Sequence, residues 1–164
     1  MKLNNASLSD CIKVYSNIFS SDWCEDLITY FENSLYVRTD DHRKQSNEMQ
    51  LIGDPRPDAI DYKKLTDIYN TGFRSLQIQR YTPEDKGYSA VHVESGQEHY
   101  KKYLAVIVYL NDVEGGETIF SMGDTSITPK TGSVAIWPAG LPFYHCGLKS
   151  KTTKYILTTW FEFM

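Results

Sequence analysis

Eight consecutive apolar residues, Tyr103-Leu104-Ala105-Val106-Ile107-Val108-Tyr109-Leu110, set the tightest limit on how this chain folds. The run is too short to span a bilayer and is rich in β-branched and aromatic side chains, so it reads as a strand. A strand that is apolar at every position must be covered on both faces, which places it inside a layered β structure. Asn111-Asp112 and Gly115-Gly116 follow with turn chemistry. Further short strands are expected at Thr118-Ile119-Phe120, Ser126-Ile127-Thr128 and Ser133-Val134-Ala135-Ile136-Trp137. From Lys154 to Phe163 the pattern alternates, with Lys154, Ile156, Thr158, Trp160 and Glu162 on one face and Tyr155, Leu157, Thr159, Phe161 and Phe163 on the other.

The bulk properties narrow the class. A length of 164 residues with 41% hydrophobic and 23% charged side chains fits one ordinary globular domain, and twelve tyrosines favour pleated surfaces. A net charge of −4 gives no global attraction to nucleic acid or anionic membrane. Met1-Lys2-Leu3-Asn4-Asn5 lacks the apolar core of a signal peptide. Cys11, Cys24 and Cys146 are odd in number and form no CxxC pair, which points to neither a disulfide framework nor a zinc knuckle. A reducing, cytoplasmic setting is expected.

The first 71 residues read differently from the rest. Lys13 to Phe19 is a candidate opening strand, and Ser20-Ser21-Asp22 offers helix caps, with Glu25 in a capping-box relation to Asp22. Trp23, Leu27, Ile28 and Phe31 then form an apolar helical stripe that reads as core. Residues 36–54 are polar and charged and read as a surface loop or weak hairpin, with a substrate lid as the sharper alternative. A second helix is expected after Asp54-Pro55-Arg56-Pro57-Asp58, burying Ile60, Leu65 and Ile68 and ending at Asn70-Thr71-Gly72. Beyond Gly72 the texture is that of a sandwich or barrel behind helical buttresses, so we read residues 1–164 as one domain, with 1–71 as support and 72–164 as core.

Chemistry concentrates around Gly87-Tyr88-Ser89-Ala90-Val91-His92-Val93-Glu94, which reads as a strand with His92 and Glu94 on one face. An imidazole and a carboxylate are two parts of the facial triad that suits non-haem Fe(II), and His145 is the candidate third ligand. HxE with a distant His is a weak pattern by itself. The order of the surrounding elements is more specific: Arg80-Tyr81, Tyr88, His92-Val93-Glu94, Tyr109-Leu110-Asn111-Asp112-Val113-Glu114-Gly115-Gly116-Glu117-Thr118-Ile119-Phe120, Pro129-Lys130-Thr131-Gly132, His145-Cys146-Gly147 and Lys154-Tyr155. In that order the chain resembles the prolyl 4-hydroxylase branch of the Fe(II)/2-oxoglutarate dioxygenases, over about residues 72–164. Phe19-Ser20 through Cys24-Glu25-Asp26-Leu27-Ile28 looks like the helix that opens such domains.

The resemblance implies a mainly β fold with N-terminal helices, a double-stranded β-helix (jelly roll, cupin-like), with the metal in one open end. It implies His92, Glu94 and His145 as iron ligands and Lys154 as the anchor of the far carboxylate of 2-oxoglutarate. Tyr81, Thr118 and Trp160 would be further cosubstrate contacts, and Lys102 and Tyr88 would face the substrate. The implied cofactors are Fe(II) and 2-oxoglutarate, with ascorbate a further candidate. The implied reaction hydroxylates an unactivated C–H bond, expected in a peptidyl proline, with succinate and CO2 as coproducts. A buried dianion also needs a paired cation and several donors, which agrees with Lys154.

Two positions depart from the family pattern, Glu94 where Asp is usual and Lys102 where a substrate-pocket arginine is usual. Three rival readings stay open: a free amino acid or other small-molecule substrate, a non-catalytic jelly-roll binding module, and a cupin-like enzyme with another metal and no 2-oxoglutarate. Glu98 and His99 are alternative ligands that read as solvated loop, and Lys151 is an alternative to Lys154 that falls in a turn. Gly115 and Gly116 read as a turn alone, and Cys146 as buried packing. Neither nucleic acid nor membrane is expected as a partner.

Overall fold

The computed structural model describes residues 7–51, 73–96, 99–121 and 125–163. A 3-10 turn (Leu8–Cys11) leads into strand β1 (Lys13–Tyr15), helix α1 (Ser21–Glu32), β2 (Val37–Asp40) and β3 (Gln45–Gln50). Then come β4 (Phe73–Tyr81), β5 (Tyr88–His92), β6 (Lys102–Tyr109), β7 (Thr118–Phe120), β8 (Ser126–Ile127), β9 (Val134–Pro138), β10 (His145–Gly147) and β11 (Lys154–Glu162). They form a seven-stranded sheet, β1-β9-β6-β11-β4-β3-β2, and a four-stranded sheet, β5-β10-β7-β8, both antiparallel. This is the expected jelly roll. The second expected helix, with Ile60, Leu65 and Ile68, lies outside the described residues, and so do the last residues of the expected 36–54 loop.

The apolar run has its two covers. Val106, Val108 and Leu110 join Leu27 and Phe31 of α1, Met49, Leu76, Ile78 and Leu157 in one cluster on the outer face of the large sheet. Ala105 and Tyr109 point the other way, toward Phe120, Ala135, Trp137, Phe143 and Ile156 between the sheets. Each fully buried large apolar side chain contributes about 1.5–3 kcal/mol, so α1 is held chiefly by its contact with the sheet.

Three local expectations are settled by the fold. Of the three expected helix caps Ser20 is the one used: its extended backbone precedes the first turn and its Oγ accepts from the Trp23 N–H at 3.3 Å. Asp22 sits inside the first turn, where its charge faces the positive helix end. The opening strand stops at Tyr15 because Asn17 has φ 56°, which breaks the extended path, and the Ile18 and Phe19 amides turn to the Gly132 carbonyl. Of the loop and the weak surface hairpin expected for 36–54, the described part is the hairpin, and it is not peripheral: its inner strand pairs with β4 from Asn47↔Arg80 to Gln50↔Gln77 and buries Ser46, Asn47 and Met49.

A salt bridge ties this hairpin to the turn that leads into β5. Arg38 Nη2 lies 2.6 Å from Asp85 Oδ1, and Asp85, though buried, also accepts from the Thr82 amide at 2.6 Å and the Thr82 hydroxyl at 3.1 Å. Burial alone would raise the Asp85 carboxyl, but Arg38 and Thr82 hold it below its ordinary 3.8. The resulting stabilisation is complete above that value and is lost as pH falls through the lower folded one. We predict that Arg38→Ala lowers stability by about 1 kcal/mol at neutral pH, a modest figure because the guanidinium is solvent-facing. The difference should shrink below pH 4 in urea melts, and a constant difference across pH would show that Asp85 is not the partner that matters.

Candidate active site

The site begins with one pairing. β5 and β10 run antiparallel with His145 directly opposite His92 and Gly147 opposite Tyr88. Gly87 permits the close approach: its φ is +76°, and a Cβ there would lie 2.8 Å from the Gly147 carbonyl oxygen. Each imidazole is oriented from behind. His92 Nδ1 lies 2.8 Å from the Ala90 carbonyl and His145 Nδ1 lies 3.0 Å from the Phe143 carbonyl. A carbonyl only accepts, so Nδ1 of each ring carries the hydrogen and each Nε2 presents its lone pair to the cavity. Tyr88 stacks on His92 at 3.8 Å between centroids, and Trp137 meets the His145 ring edge-on at 4.9 Å.

Glu94 completes the group from a different place than the strand pattern implies. β5 ends at His92, and Glu94 lies on the bend beyond it. Its Oε1 is 3.5 Å from His92 Nε2 and 3.2 Å from His145 Nε2, and all three atoms lie within 4.8 Å of one another. Oε2 points away and accepts from the Trp160 indole N–H at 2.9 Å. Burial would raise the Glu94 carboxyl, yet His145 and His92, where the facing Nε2 carries a proton, hold it far below the usual carboxylate range. Two imidazole lone pairs and a carboxylate oxygen facing one point repel unless a cation, either a proton or a metal ion, is shared among them. As a donor set, two neutral imidazoles and one hard oxygen suit Fe(II).

These residues line a cavity of about 250 Å³ whose other end is basic. Lys154, 4% exposed, donates to the Gly116 carbonyl at 2.6 Å, near the rings of Tyr81 and Tyr109. Burial pushes its ammonium down to about 8. Tyr109 Oη and Thr118 Oγ1 share a 2.9 Å hydrogen bond. Gly116, expected as a turn alone, has a second role in receiving Lys154, and a Cβ on it would come within 2.9 Å of Ser150 Cβ. Tyr81, Tyr88, Lys102, Thr118 and Trp160 all line the cavity, with Lys102 Nζ 3.5 Å from the centroid of the Trp160 ring. His99 lies in an exposed loop, as expected, and borders the cavity from there. Lys151 is exposed and pairs with Glu114, and Glu98 lies outside the described residues.

Sequence reasoning missed the polar wall between the two ends. Gln79 and Gln77 precede Tyr81 at two-residue steps and share its inward face. Tyr81 Oη donates to Gln79 Oε1 at 2.6 Å, Gln79 Nε2 to Gln77 Oε1, and Gln77 Nε2 to Glu48 Oε2 at 2.8 Å. Lys44 pairs with the other Glu48 oxygen. The signal was the unbroken alternation of Leu76 and Ile78 with Gln77 and Gln79, whose polar residues border a cavity.

The family model of the 2OG-Fe(II) oxygenase superfamily matches residues 76–162. The chain belongs to that superfamily. Membership makes it a 2-oxoglutarate- and Fe(II)-dependent dioxygenase. Among solved structures it is similar to the viral collagen prolyl hydroxylase of Paramecium bursaria Chlorella virus-1, solved with 2-oxoglutarate. That match has 23% identity, covers 92% of this chain and 94% of the other, and has a TM-score of 0.68. A Pseudomonas putida prolyl-4-hydroxylase aligns at 15% identity over 96% and 97%, TM-score 0.74. A Trichoplax adhaerens prolyl hydroxylase, solved with a hypoxia-inducible-factor peptide fragment, aligns at 14% identity over 94% and 84%, TM-score 0.78. These likenesses show a common fold. The search of curated proteins finds no match.

In this superfamily member the polar wall makes a prediction of its own. Tyr81→Phe leaves the buried Gln79 carbonyl oxygen without its donor. It should cost about 1–3 kcal/mol in urea or thermal unfolding. An unchanged midpoint would mean that the hydroxyl is not held there.

Proposed function

We propose that His92, Glu94 and His145 hold Fe(II), that Lys154 anchors the far carboxylate of 2-oxoglutarate, and that the enzyme hydroxylates a peptidyl proline. The observation that carries this reading is the convergence of three lone-pair donors at one end of a cavity whose other end holds a buried lysine. Fe(II) and 2-oxoglutarate, when bound, would supply the oxidising chemistry together with O2 as the oxidant, one oxygen atom passing to succinate as CO2 is lost and the other to the substrate carbon.

The chain's own residues do the rest. Ala90 and Phe143 carbonyls keep both imidazoles in the tautomer that leaves Nε2 free. Ile107 and Ile156 give the mid-cavity apolar wall, which limits water near the reacting carbon. Tyr88 and Lys102 line the metal end of the cavity and would meet the substrate there, and Lys44 brings the β2–β3 hairpin to the same cavity. The peptide substrate is supported by the prolyl hydroxylases that share the fold, one of them solved with a peptide. A free amino acid is the competing substrate. Lys102 favours it, because its ammonium rests on an indole face and is available to a substrate carboxylate.

Anaerobic addition of Fe(II) and 2-oxoglutarate should produce the weak visible charge-transfer band of a chelated metal, and His92→Ala should abolish it. Absence of the band in folded wild type would favour a binding module. Lys154→Ala should weaken 2-oxoglutarate by roughly tenfold to a hundredfold, the value of a charge-assisted contact to a buried cation. Unchanged affinity removes Lys154 from this role. Because only the protonated ammonium attracts the dianion, affinity should be greatest below pH 8 and fall by up to about tenfold per pH unit above it. Mass spectrometry should then find one added oxygen in proline-containing peptides, and addition to free proline alone would select the competing substrate.

A further inference from the structure

Glu94 differs from an aspartate at the same position by one methylene and one further rotatable bond. A longer carboxylate has more rotamer freedom to lose and can present either oxygen, or both, to a cation. In this chain something restrains it. The Trp160 Nε1–H, a group that can only donate, holds Glu94 Oε2 at 2.9 Å, so that Oε1 alone faces the two imidazoles. Trp160 is itself held from the other side. It pairs with Ala105 across β11 and β6, and Lys102 from β6 lays its ammonium on the indole face, 3.5 Å from the centroid. A cation over the ring draws charge from the indole and makes its N–H a stronger donor. The bond also joins the two sheets, since Trp160 belongs to the seven-stranded sheet and Glu94 follows the β5 edge of the other.

We propose that Trp160, reinforced by Lys102, is the positioning residue that makes Glu94 a one-oxygen metal ligand. This gives Trp160 a role at the metal rather than at the cosubstrate. The inference rests on the ligand assignment above and is independent of 2-oxoglutarate.

The test is an Mn(II) titration of the full-length apoprotein without 2-oxoglutarate, with free Mn(II) followed by electron paramagnetic resonance. Trp160→Phe keeps the ring and removes the donor, and it should weaken Mn(II) by roughly tenfold or more, the usual effect of losing a hydrogen bond to a ligand. Lys102→Met should weaken it in the same direction by less. In a Glu94→Asp background the shorter carboxylate is withdrawn from the indole, so adding Trp160→Phe should cost much less than it does in wild type. Wild-type affinity in Trp160→Phe, or an equal penalty in both backgrounds, overturns the proposal, the latter by reducing the bond to a clamp between sheets. If thermal melts show that Trp160→Phe does not fold, Lys102→Met decides, and unchanged Mn(II) affinity there overturns the proposal. Failure of wild type to bind Mn(II) would remove the ligand assignment itself. Wild type that binds Mn(II) but not 2-oxoglutarate would remove the cosubstrate reading and leave this one intact.

Discussion

The pairing of β10 against β5 is the contact on which the site depends. It sets two histidines from distant parts of the chain opposite each other and aims both Nε2 atoms at one point. The backbone enforces this, because the Ala90 and Phe143 carbonyls are fixed by their own strand segments and in turn fix the imidazoles. The approach is closest at Gly87, where any side chain would collide with the facing backbone. The large sheet then brings Lys154 and Trp160 to the opposite wall on a single strand, and the cavity is the space between.

Inside that space the electrostatics are uneven. Lys44 is balanced by Glu48, and Glu94 faces the imidazoles, but among the described residues Lys154 has a carbonyl as its hydrogen-bond partner and a depressed proton affinity to match. A buried ammonium in that condition is stabilised by any anion that reaches it. The polar wall has a fixed direction as well. Glu48 can only accept, so each amide upstream has one orientation, and the Tyr81 hydroxyl gives its hydrogen to Gln79. A ligand beside Tyr81 therefore meets an oxygen lone pair unless that hydrogen bond opens.

Much of this was legible in the sequence where side chains alternate against an apolar core. The run at 103–110 and the alternation at 154–163 located the central strands, and with them Lys154 and Trp160 on one face. His92 and His145 were legible through the motif order, while the position of Glu94 beyond the strand end was not, since a bend has no hydropathy signature. The hairpin at 37–50 read as solvated because Asn47 and Glu48 satisfy their polar atoms on β4, and Ser46 on Glu48 of its own strand, rather than in water. The helix cap stayed open among Ser20, Ser21 and Asp22 because all three are competent caps, and only the backbone angles distinguish them.

β11 lies between β6 and β4 in the large sheet, although it follows every other described strand. During synthesis those two strands emerge with facing edges open, and they stay unpaired on that side until β11 has cleared the ribosome. The sheet cannot close in stages from the N-terminus, and no partial chain can assemble the cavity, because Lys154 and Trp160 arrive on the strand that closes it. Assembly is therefore a late, nearly simultaneous event dominated by long-range pairing, and until then the nascent chain presents two open edges to which a chaperone can bind.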